Sequence, residues 1–364
     1  MVRYAYLSHG NTNTSVREFE MRAMTITAHG GPDVLQMSDS FPMPVAGENE
    51  VLIRVEASGV NRMDILVRQG YPGLKLPLPH VCGADIAGRV AGIGSAVAGS
   101  PWLAVGVRVV VYPLLSCGSC AQCRSGKPNL CQRWRAVGMH VAGGYAEYVA
   151  IPAENVFPLP DSIEFADAVT LPVAGLTAHH ALITVGRLQK GETVFIRGGA
   201  GTLGSMAVQI ARNAGARVLA TAAGEERLEV LRRLGVDVAI DRNAEEVEKR
   251  VAEETDGGVD IVLDPVGGVQ VDRSTKMLAN GGRLIICGIL DGRTAELDIH
   301  QTYYHHRSIH GVFLGTREDM EMVTRLLAER RINPLTSTVA LEDAAEAHRT
   351  VESGRHTGKI VLSI

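Results

Sequence analysis

A glycine-rich turn between a predicted strand and a predicted helix constrains this chain more than any other stretch. Residues 193–196 form a short, apolar, β-branched run that predicts a buried strand, and Gly199-Ala-Gly201-Thr-Leu-Gly204 follows almost at once. Apolar residues then recur at helical spacing up to Gly215, and residues 218–222 predict a second strand. This order of elements is a βαβ unit, which implies a parallel sheet.

The G-x-G-x-x-G spacing in this setting is typical of a dinucleotide-binding turn. Gly199 would allow the tight turn, Gly201 would let the backbone approach a pyrophosphate, and Gly204 would let helix and strand pack closely. The N-terminus of the following helix stabilises phosphate charge. The predicted turn consists of Gly199, Ala200, Gly201, Thr202, Leu203 and Gly204. The alternative is a structural glycine turn that binds nothing.

The end of the second strand indicates which dinucleotide binds. A chain that prefers NAD usually has Asp or Glu there, to bind the ribose 2′-hydroxyl. This chain has Ala222, Ala223 and Gly224 instead. Arg227 follows, and Arg242 comes after the third predicted strand; either guanidinium can pair with a 2′-phosphate. The sequence therefore predicts NADPH, the alternative being that both arginines are solvated surface charges.

Length and charge narrow the function classes. A chain of 364 residues is long enough for two domains, and a net charge of −4 argues against a nucleic-acid partner. We expect no membrane partner, because the best apolar run is short and is interrupted by Arg108. Residues 1–20 are polar and patternless, and are interpreted as a leader or loose extension. Six cysteines, four of them clustered, favour a reducing, cytoplasmic location.

The cysteine cluster is the sharpest metal-binding motif in the chain. Cys117, Cys120, Cys123 and Cys131 are spaced so that four thiolates can close a tetrahedral zinc site with no open position. Such a site is structural and contributes to folding. We therefore expect one structural zinc per chain in a lobe at about residues 115–133. Disulfides and an iron–sulfur cluster are the alternatives.

Two further stretches carry a family resemblance. Asn61, Asp64 and Arg68 fit the pattern N-x-x-D-x-x-x-R-x-G, and Gly83 and Asp85 begin G-x-D-x-A-G-x-V. Together with the glycine turn, these motifs resemble the medium-chain dehydrogenase/reductase superfamily, closest to its quinone oxidoreductase branch. The resemblance covers residues 21–364. It implies an α/β fold with a GroES-like β-barrel catalytic domain (21–174 and 318–364) and a Rossmann domain with a doubly wound parallel sheet (175–317).

The resemblance also implies cofactor contacts beyond the glycine turn. Some match positions that the family places beside the nicotinamide, and others lie at the carboxyl ends of the predicted parallel strands, where such sheets bind ligands. The additional predicted cofactor residues are Thr177, Ala223, Pro265, Gly288, Phe313, Gly315 and Lys359. The family further implies a small-molecule substrate and a homodimer or homotetramer.

The predicted reaction follows from three positions. Where the alcohol dehydrogenases of this superfamily hold a catalytic zinc, this chain has Asn61, Ala84 and Val173, none of which is a usable ligand. We therefore expect no catalytic zinc, and NADPH-dependent reduction of a quinone or enone, which delocalises the charge it gains. Asn61 would donate its amide to the substrate oxygen, Tyr71 would donate a proton or line the pocket, and Asp64 would orient its neighbours.

Three other functions stay open at this point. The chain could be a zinc-type alcohol dehydrogenase whose ligands are misaligned, an enoyl-CoA reductase, or a non-catalytic NADPH-binding or redox-sensing protein. The polar-aromatic cluster at residues 303–306 could reach a substrate mouth or a subunit contact, or belong to an ordinary loop.

Overall fold

Two compact units make up the chain in the computed structural model, which describes residues 19–364. The first unit comprises the described residues up to Val173 together with Thr336–His356 and Ile360–Ile364. The second comprises Ala174–Leu335 and Thr357–Lys359. The leader predicted over residues 1–20 lies outside the described residues except at its end, where Glu20 already belongs to the first strand.

Short strands separated by turns dominate residues 19–173. The strands are β1 (Glu20–Ile26), β2 (Leu35–Pro42), β3 (Glu50–Gly59), β4 (His80–Val81), β5 (Asp85–Ile93), β6 (Arg108–Val111), β7 (Leu114–Leu115), β8 (Arg135–Ala136), β9 (Tyr148–Pro152) and β10 (Val156–Pro158). The helices are α1 (Arg62–Gln69), α2 (Ala121–Arg124) and α3 (Phe165–Ala168). The long central strand β3 pairs antiparallel with β5 and β9.

Strands and helices alternate in the second unit. They are α4 (Leu176–His179), β11 (Thr193–Ile196), α5 (Thr202–Asn213), β12 (Arg217–Ala222), α6 (Glu225–Arg233), β13 (Val238–Asp241), α7 (Val247–Glu254), β14 (Val259–Asp264), α8 (Gln270–Lys276), β15 (Leu278–Ile286), α9 (Ile299–Tyr304), β16 (Ser308–Gly311) and α10 (Arg317–Ala328). The six strands form one parallel sheet in the order β13-β12-β11-β14-β15-β16. This is the doubly wound order, whose topological switch lies beside β11.

The last segment returns to the first unit. It contains β17 (Thr336–Ala340), α11 (Ala344–Ser353) and β18 (Lys359–Ser363). A seven-stranded sheet then has the order β10-β6-β5-β3-β18-β17, with β9 also paired to β3; β2-β1-β4 and β7-β8 form two smaller sheets. The buried face of the seven-stranded sheet is lined by β-branched residues such as Val51, Ile53 and Val109. The predicted barrel and doubly wound sheet are thus both present.

The return to the first unit comes later than residue 318, where the sequence placed it. Residues 318–335 remain in the second unit. The physical reason is a buried carboxylate near the start of α10. Asp319 binds the Nδ1 atoms of His179 and His180 at 2.7 and 2.6 Å, and so ties α10 to the helical segment at α4.

The helical segment Phe165–Val185 is long and apolar enough to cross a membrane by length and composition. The sequence predicted no run of this kind. However, 78% of its most apolar window is buried inside the protein, as in the core helix of a globular fold. Two stretches of it, Leu171–Gly175 and His180–Val185, have the wide turns of a π-helix, a geometry that recurs near functional sites.

Candidate functional site

The glycine turn joins β11 to α5 as predicted. The individual glycines, however, have roles that differ from the predicted ones. The left-handed residue is Gly198, with φ +69°, and not Gly199. A Cβ on Gly199 would lie 2.8 Å from that of Ala220, so Gly199 allows close packing against β12. A Cβ on Gly204 would lie 2.2 Å from the carbonyl oxygen of Gly198, which confirms close contact between helix and turn. Gly201 caps α5, and a Cβ there would come no nearer than 3.4 Å to another group.

The segment Thr357–Lys359 lies against this turn. The backbone N–H of Gly358 donates to the carbonyl of Ala200 at 2.9 Å, and the Thr202 hydroxyl donates to the carbonyl of Gly358 at 2.5 Å. Lys359 is fully buried, and its N–H donates to the carbonyl of Leu335. The structure therefore brings Lys359 within one residue of a contact to the turn, although the two are far apart in the sequence.

Two arginines meet at the end of β12. The Nε of Arg227 donates to the carbonyl of Ala223 at 3.0 Å, and the N–H of Arg242 donates to the carbonyl of Ala222 at 3.0 Å. Burial lowers the pKa of Arg227, and the positive charge of Arg242 acts in the same direction. The two guanidinium groups are thus close enough for their positive charges to interact. The sequence analysis missed one neighbour: the carboxylate of Asp241, at the end of β13, accepts the N–H of Asn243 at 2.9 Å.

The ends of β14 and β15 also come together. A Cβ on Gly288 would lie 1.9 Å from the carbonyl oxygen of Pro265, so these two backbones are in direct contact. Asp264, fully buried, fixes the loop after β14 by accepting the N–H groups of Val266 and Gly267 at 2.8 and 3.0 Å. Pro265 and Gly288 therefore share the carboxyl edge of the sheet.

A third group of predicted cofactor residues surrounds α4. Thr177 is buried in that helix, and a Cβ on Gly315 would lie 2.8 Å from the Cβ of His180. The loop that contains Gly315 and the half-exposed Phe313 therefore packs on the turn after Thr177.

Sequence reasoning missed the carboxylate that fastens this loop. Asp319 accepts hydrogen bonds from His179, His180 and Thr184, and from the N–H of Thr316 at 2.9 Å. Burial opposes ionisation of Asp319, but the hydrogen bonds from the two histidines and Thr184 outweigh it and lower its pKa. The available signals were the adjacent histidines and the capping box formed by Thr316 and Asp319.

The four clustered cysteines lie together in the first unit. Their Sγ atoms are all within 4.8 Å of one another, with Cys120 and Cys123 at 3.4 Å and Cys117 and Cys123 at 3.9 Å. Four thiolates bound tetrahedrally to zinc have sulfurs about 3.8 Å apart, so this donor set fits the ion. The N–H groups of Cys117 and Arg133 point at the sulfur of Cys131, both at 3.4 Å.

Electrostatics at the cluster also favour a cation. The backbone N–H of Ser119 and the Arg133 side chain lower the pKa of Cys117 to about 5. Desolvation and the neighbouring Cys120 and Cys131 thiols raise the pKa of Cys123 to about 11. Thiols this close cannot all ionise without a compensating positive charge, which a metal would supply.

The predicted substrate residues gather at the start of α1. Asn61 is the N-cap and forms a capping box with Asp64, whose carboxylate accepts the N–H of Asn61 at 2.7 Å. The Asn61 side-chain amide donates to Asp85 at 2.7 Å, and the N–H of Val173 donates to the other oxygen of Asp85 at 2.9 Å. Asn61 and Val173 match two of the three positions that hold catalytic zinc ligands in the alcohol dehydrogenases, and here both donate to one buried carboxylate. The third position, Ala84, immediately precedes Asp85 in the chain.

Tyr71 has a different setting from Asn61 and Asp64. It is half-buried just after α1 and packs against the apolar cluster that contains Val60 and Ile65. Two residues that the sequence analysis did not assign complete the polar network instead: Tyr145 and His348, both fully buried and 3.1 Å apart. His348 lies 203 positions after Tyr145 in the sequence.

Comparison with known proteins agrees with this architecture. Residues 47–161 match the family model for the alcohol dehydrogenase GroES-like domain, and residues 202–329 match that for zinc-binding dehydrogenases. An alcohol dehydrogenase of Geobacillus stearothermophilus is 31% identical, covering 88% of this chain and 94% of the relative. A quinone oxidoreductase of Mus musculus is 30% identical, covering 94% and 97%.

A solved structure gives the same result. A crystal structure described as an NAD-dependent alcohol dehydrogenase has a TM-score of 0.88 and 36% identity, covering 94% of this chain and all of that one. Both domain types, the order of the parallel strands and the relatives agree. The chain therefore belongs to the medium-chain dehydrogenase/reductase superfamily and is an oxidoreductase.

Proposed function

We propose that this enzyme transfers a hydride from NADPH to a conjugated carbonyl, a quinone or an enone, without a catalytic zinc. The observation that carries the proposal is the contact between Asn61 and Asp85 at 2.7 Å. Asn61 and Val173 match two of the positions where the alcohol dehydrogenases of the superfamily need metal ligands, and both donate to Asp85 instead. Across residues 19–364, the cysteine cluster is the one group of three or more His, Cys, Asp or Glu side chains arranged to hold a metal.

Asn61 would act on the substrate oxygen. The hydrogen bond to Asp85 fixes the orientation of the Asn61 side-chain amide. Asn61 is 8% exposed, so its position is fixed while a small surface remains accessible. Reducing a simple ketone develops a localised alkoxide, whereas a quinone becomes a hydroquinone anion and an enone an enolate, and both of these delocalise the charge. A fixed neutral donor can stabilise such a charge.

When bound, NADPH supplies the hydride. The turn of Gly198–Gly204 and the N-terminus of α5 would bind its pyrophosphate. Arg227 and Arg242 at the end of β12 would bind the 2′-phosphate, which supports NADPH over NADH. The nearby Asp241 carboxylate already accepts the backbone N–H of Asn243.

The remaining cofactor residues would hold the nicotinamide half. Thr177 and the packed loop of Phe313 and Gly315 would flank the ring, while Pro265 and Gly288 would line the edge of the sheet. Lys359 would help to fix the turn from the other side. Fixing the donor and acceptor in reacting geometry is itself a large part of the rate enhancement.

The cysteine cluster would hold one structural zinc. Four sulfur donors leave no open coordination position for a substrate, so this ion would stabilise the lobe and take no part in the chemistry.

A substrate screen tests the proposed function. NADPH oxidation would be followed with benzoquinones, short enones and enoyl-CoA esters, and NADP⁺ reduction with ethanol and benzyl alcohol. The proposal expects turnover with quinones or enones and none with the alcohols. Turnover confined to alcohols would support a zinc-type dehydrogenase, turnover confined to CoA esters an enoyl reductase, and cofactor binding without any turnover a non-catalytic protein.

A further inference from the structure

A series of buried hydrogen bonds connects Asn61, through Asp64, to other residues of the first unit. The Asp64 carboxylate is 1% exposed and accepts hydrogen bonds from several parts of the first unit. The donors include the N–H of Asn61 at 2.7 Å, the N–H of Gly83 at 3.1 Å and the hydroxyl of Tyr145 at 3.4 Å. A buried carboxylate with several donors holds the groups around it in one arrangement. Asp64 thereby links the first turn of α1 to two other segments of the same unit.

Tyr145 connects Asp64 to His348. Its hydroxyl lies 3.1 Å from the Nε2 of His348, and the two rings meet edge to face with centroids 5.8 Å apart. Gly83 makes room for this ring, because a Cβ there would lie 2.5 Å from the Cδ1 of Tyr145. The tyrosine is therefore fixed by packing on one side and by a hydrogen bond on the other.

The direction of these hydrogen bonds follows from the histidine. Nδ1 of His348 is buried and has no hydrogen-bond partner among the described residues. A buried N–H without a partner is rarer than a buried acceptor without one, so we assign the ring proton to Nε2. His348 then donates to the Tyr145 oxygen, and the Tyr145 hydroxyl is left to donate to Asp64.

The protonation states agree with this assignment. Burial lowers the pKa of His348 to about 3, and the Arg68 guanidinium acts in the same direction. Burial also raises the pKa of Tyr145 well above its usual value, with the charge of Asp64 adding to the shift. A neutral histidine and a protonated tyrosine are the forms that the relay from His348 to Asp64 requires.

We propose that Tyr145 and His348 are positioning residues for the hydride-transfer reaction, and that they act by holding Asp64 and, through it, Asn61. This inference rests on the proposed contact between Asn61 and the substrate oxygen. Asp64 anchors the Asn61 backbone and Asp85 anchors its side chain, so the amide is fixed at both ends. Removing the Tyr145 hydroxyl loosens the backbone anchor without touching the cofactor turn in the second unit.

A double-mutant cycle on kcat tests the inference. Tyr145→Phe should lower kcat roughly tenfold in the otherwise native enzyme, since a hydrogen bond to a charged group is lost, with KM and the NADPH Kd little changed. In an Asn61→Ala background the same change should lower kcat by less than about twofold. Equal losses in both backgrounds, or an unaltered kcat after Asn61→Ala, would overturn the inference. His348→Gln provides a second cycle if Tyr145→Phe folds poorly.

The matched control is Tyr112→Phe, at a fully buried tyrosine of the same unit that packs near Phe157. It should affect stability without changing kcat. A second readout does not need activity: the side-chain amide resonance of Asn61, assigned with Asn61→Ala, should shift in Tyr145→Phe and not in Tyr112→Phe. An unmoved resonance contradicts the positioning role. If no conjugated acceptor is reduced, the proposed function fails, and the resonance still decides whether Tyr145 positions Asn61.

Discussion

The side-chain amide of Asn61 donates a hydrogen bond of 2.7 Å to the carboxylate of Asp85, which is fully buried. The other carboxylate oxygen accepts the N–H of Val173 at 2.9 Å. One carboxylate thus joins the start of α1 to the helical segment that begins at Phe165. The consequence is a rigid amide with a defined direction, which is the property that a transition-state donor needs.

Asn61→Ala should lower kcat by roughly 10²–10³ while the NADPH Kd changes little, because a donor used mainly in the transition state is lost. Steady-state kinetics and cofactor titration would check this. The matched control is Asn155→Ala, at a buried asparagine that donates to the carbonyls of Tyr112 and Leu114. That variant should lose stability and keep its kcat. An unchanged kcat for Asn61→Ala would remove the amide from the reaction.

Purified protein should contain one zinc per chain, measured by elemental analysis. The four sulfurs within 4.8 Å form a closed donor set, and no second set of three or more metal donors occurs in the described part of the chain. Cys120→Ser should lower thermal stability, and the remaining activity should not respond to added zinc. Two zincs per chain would contradict the metal-free active site, and none, in protein never exposed to chelator, would contradict the lobe.

Arg227→Ala should weaken NADPH binding by roughly 1.5–3 kcal/mol and leave NADH binding nearly unchanged, since one charge-assisted contact to the 2′-phosphate is lost. Arg232→Ala is the control, because Arg232 is on the same helix α6 but is paired with Glu225 at 2.6 Å. It should alter neither affinity. Equal losses of NADPH and NADH affinity in Arg227→Ala would show that this residue does not bind the 2′-phosphate.

Asp319→Asn should destabilise the protein by roughly 2–4 kcal/mol near neutral pH, because one charged acceptor of several buried hydrogen bonds is removed. The sign of the pH dependence follows from the lowered pKa of Asp319 in the folded protein. Its ionised form stabilises the fold above the unfolded-state pKa of about 4, and this contribution declines as the pH falls further. Unfolding by denaturant at several pH values should show the two proteins converging in acid. A constant difference would rule out ionised Asp319 as the cause.

Local patterns in the sequence were sufficient for much of the fold. The run before Gly199 and the helical spacing up to Gly215 predicted β11 and α5, because burial on both faces of a parallel strand leaves a continuous apolar run. The sequence assigned the tight turn to Gly199, whereas the residue with the positive φ is Gly198 and Gly199 allows close packing against β12. The G-x-G-x-x-G motif begins at Gly199, so it does not include Gly198, the residue before it.

Contacts between distant segments were beyond the reach of sequence patterns. Tyr145 and His348 are 203 positions apart, and nothing in either neighbourhood marks a polar partner. Asp319 looked like an ordinary first-turn acid of a helix, although two histidines 139 and 140 positions earlier bind it. Asp241 was overlooked for a related reason: its proximity to the end of β12 depends on the register of the parallel strands.

The most direct test of the central claim is the position of the transferred hydride in the product. An enone would be reduced with NADPH that carries deuterium at C4 of the nicotinamide, and the product would be analysed by NMR. Reduction assisted by Asn61 without a metal predicts deuterium on the carbon β to the carbonyl, because the charge then forms a delocalised enolate. Deuterium on the carbonyl carbon, giving an allylic alcohol, would require stabilisation of a localised alkoxide and would contradict the account.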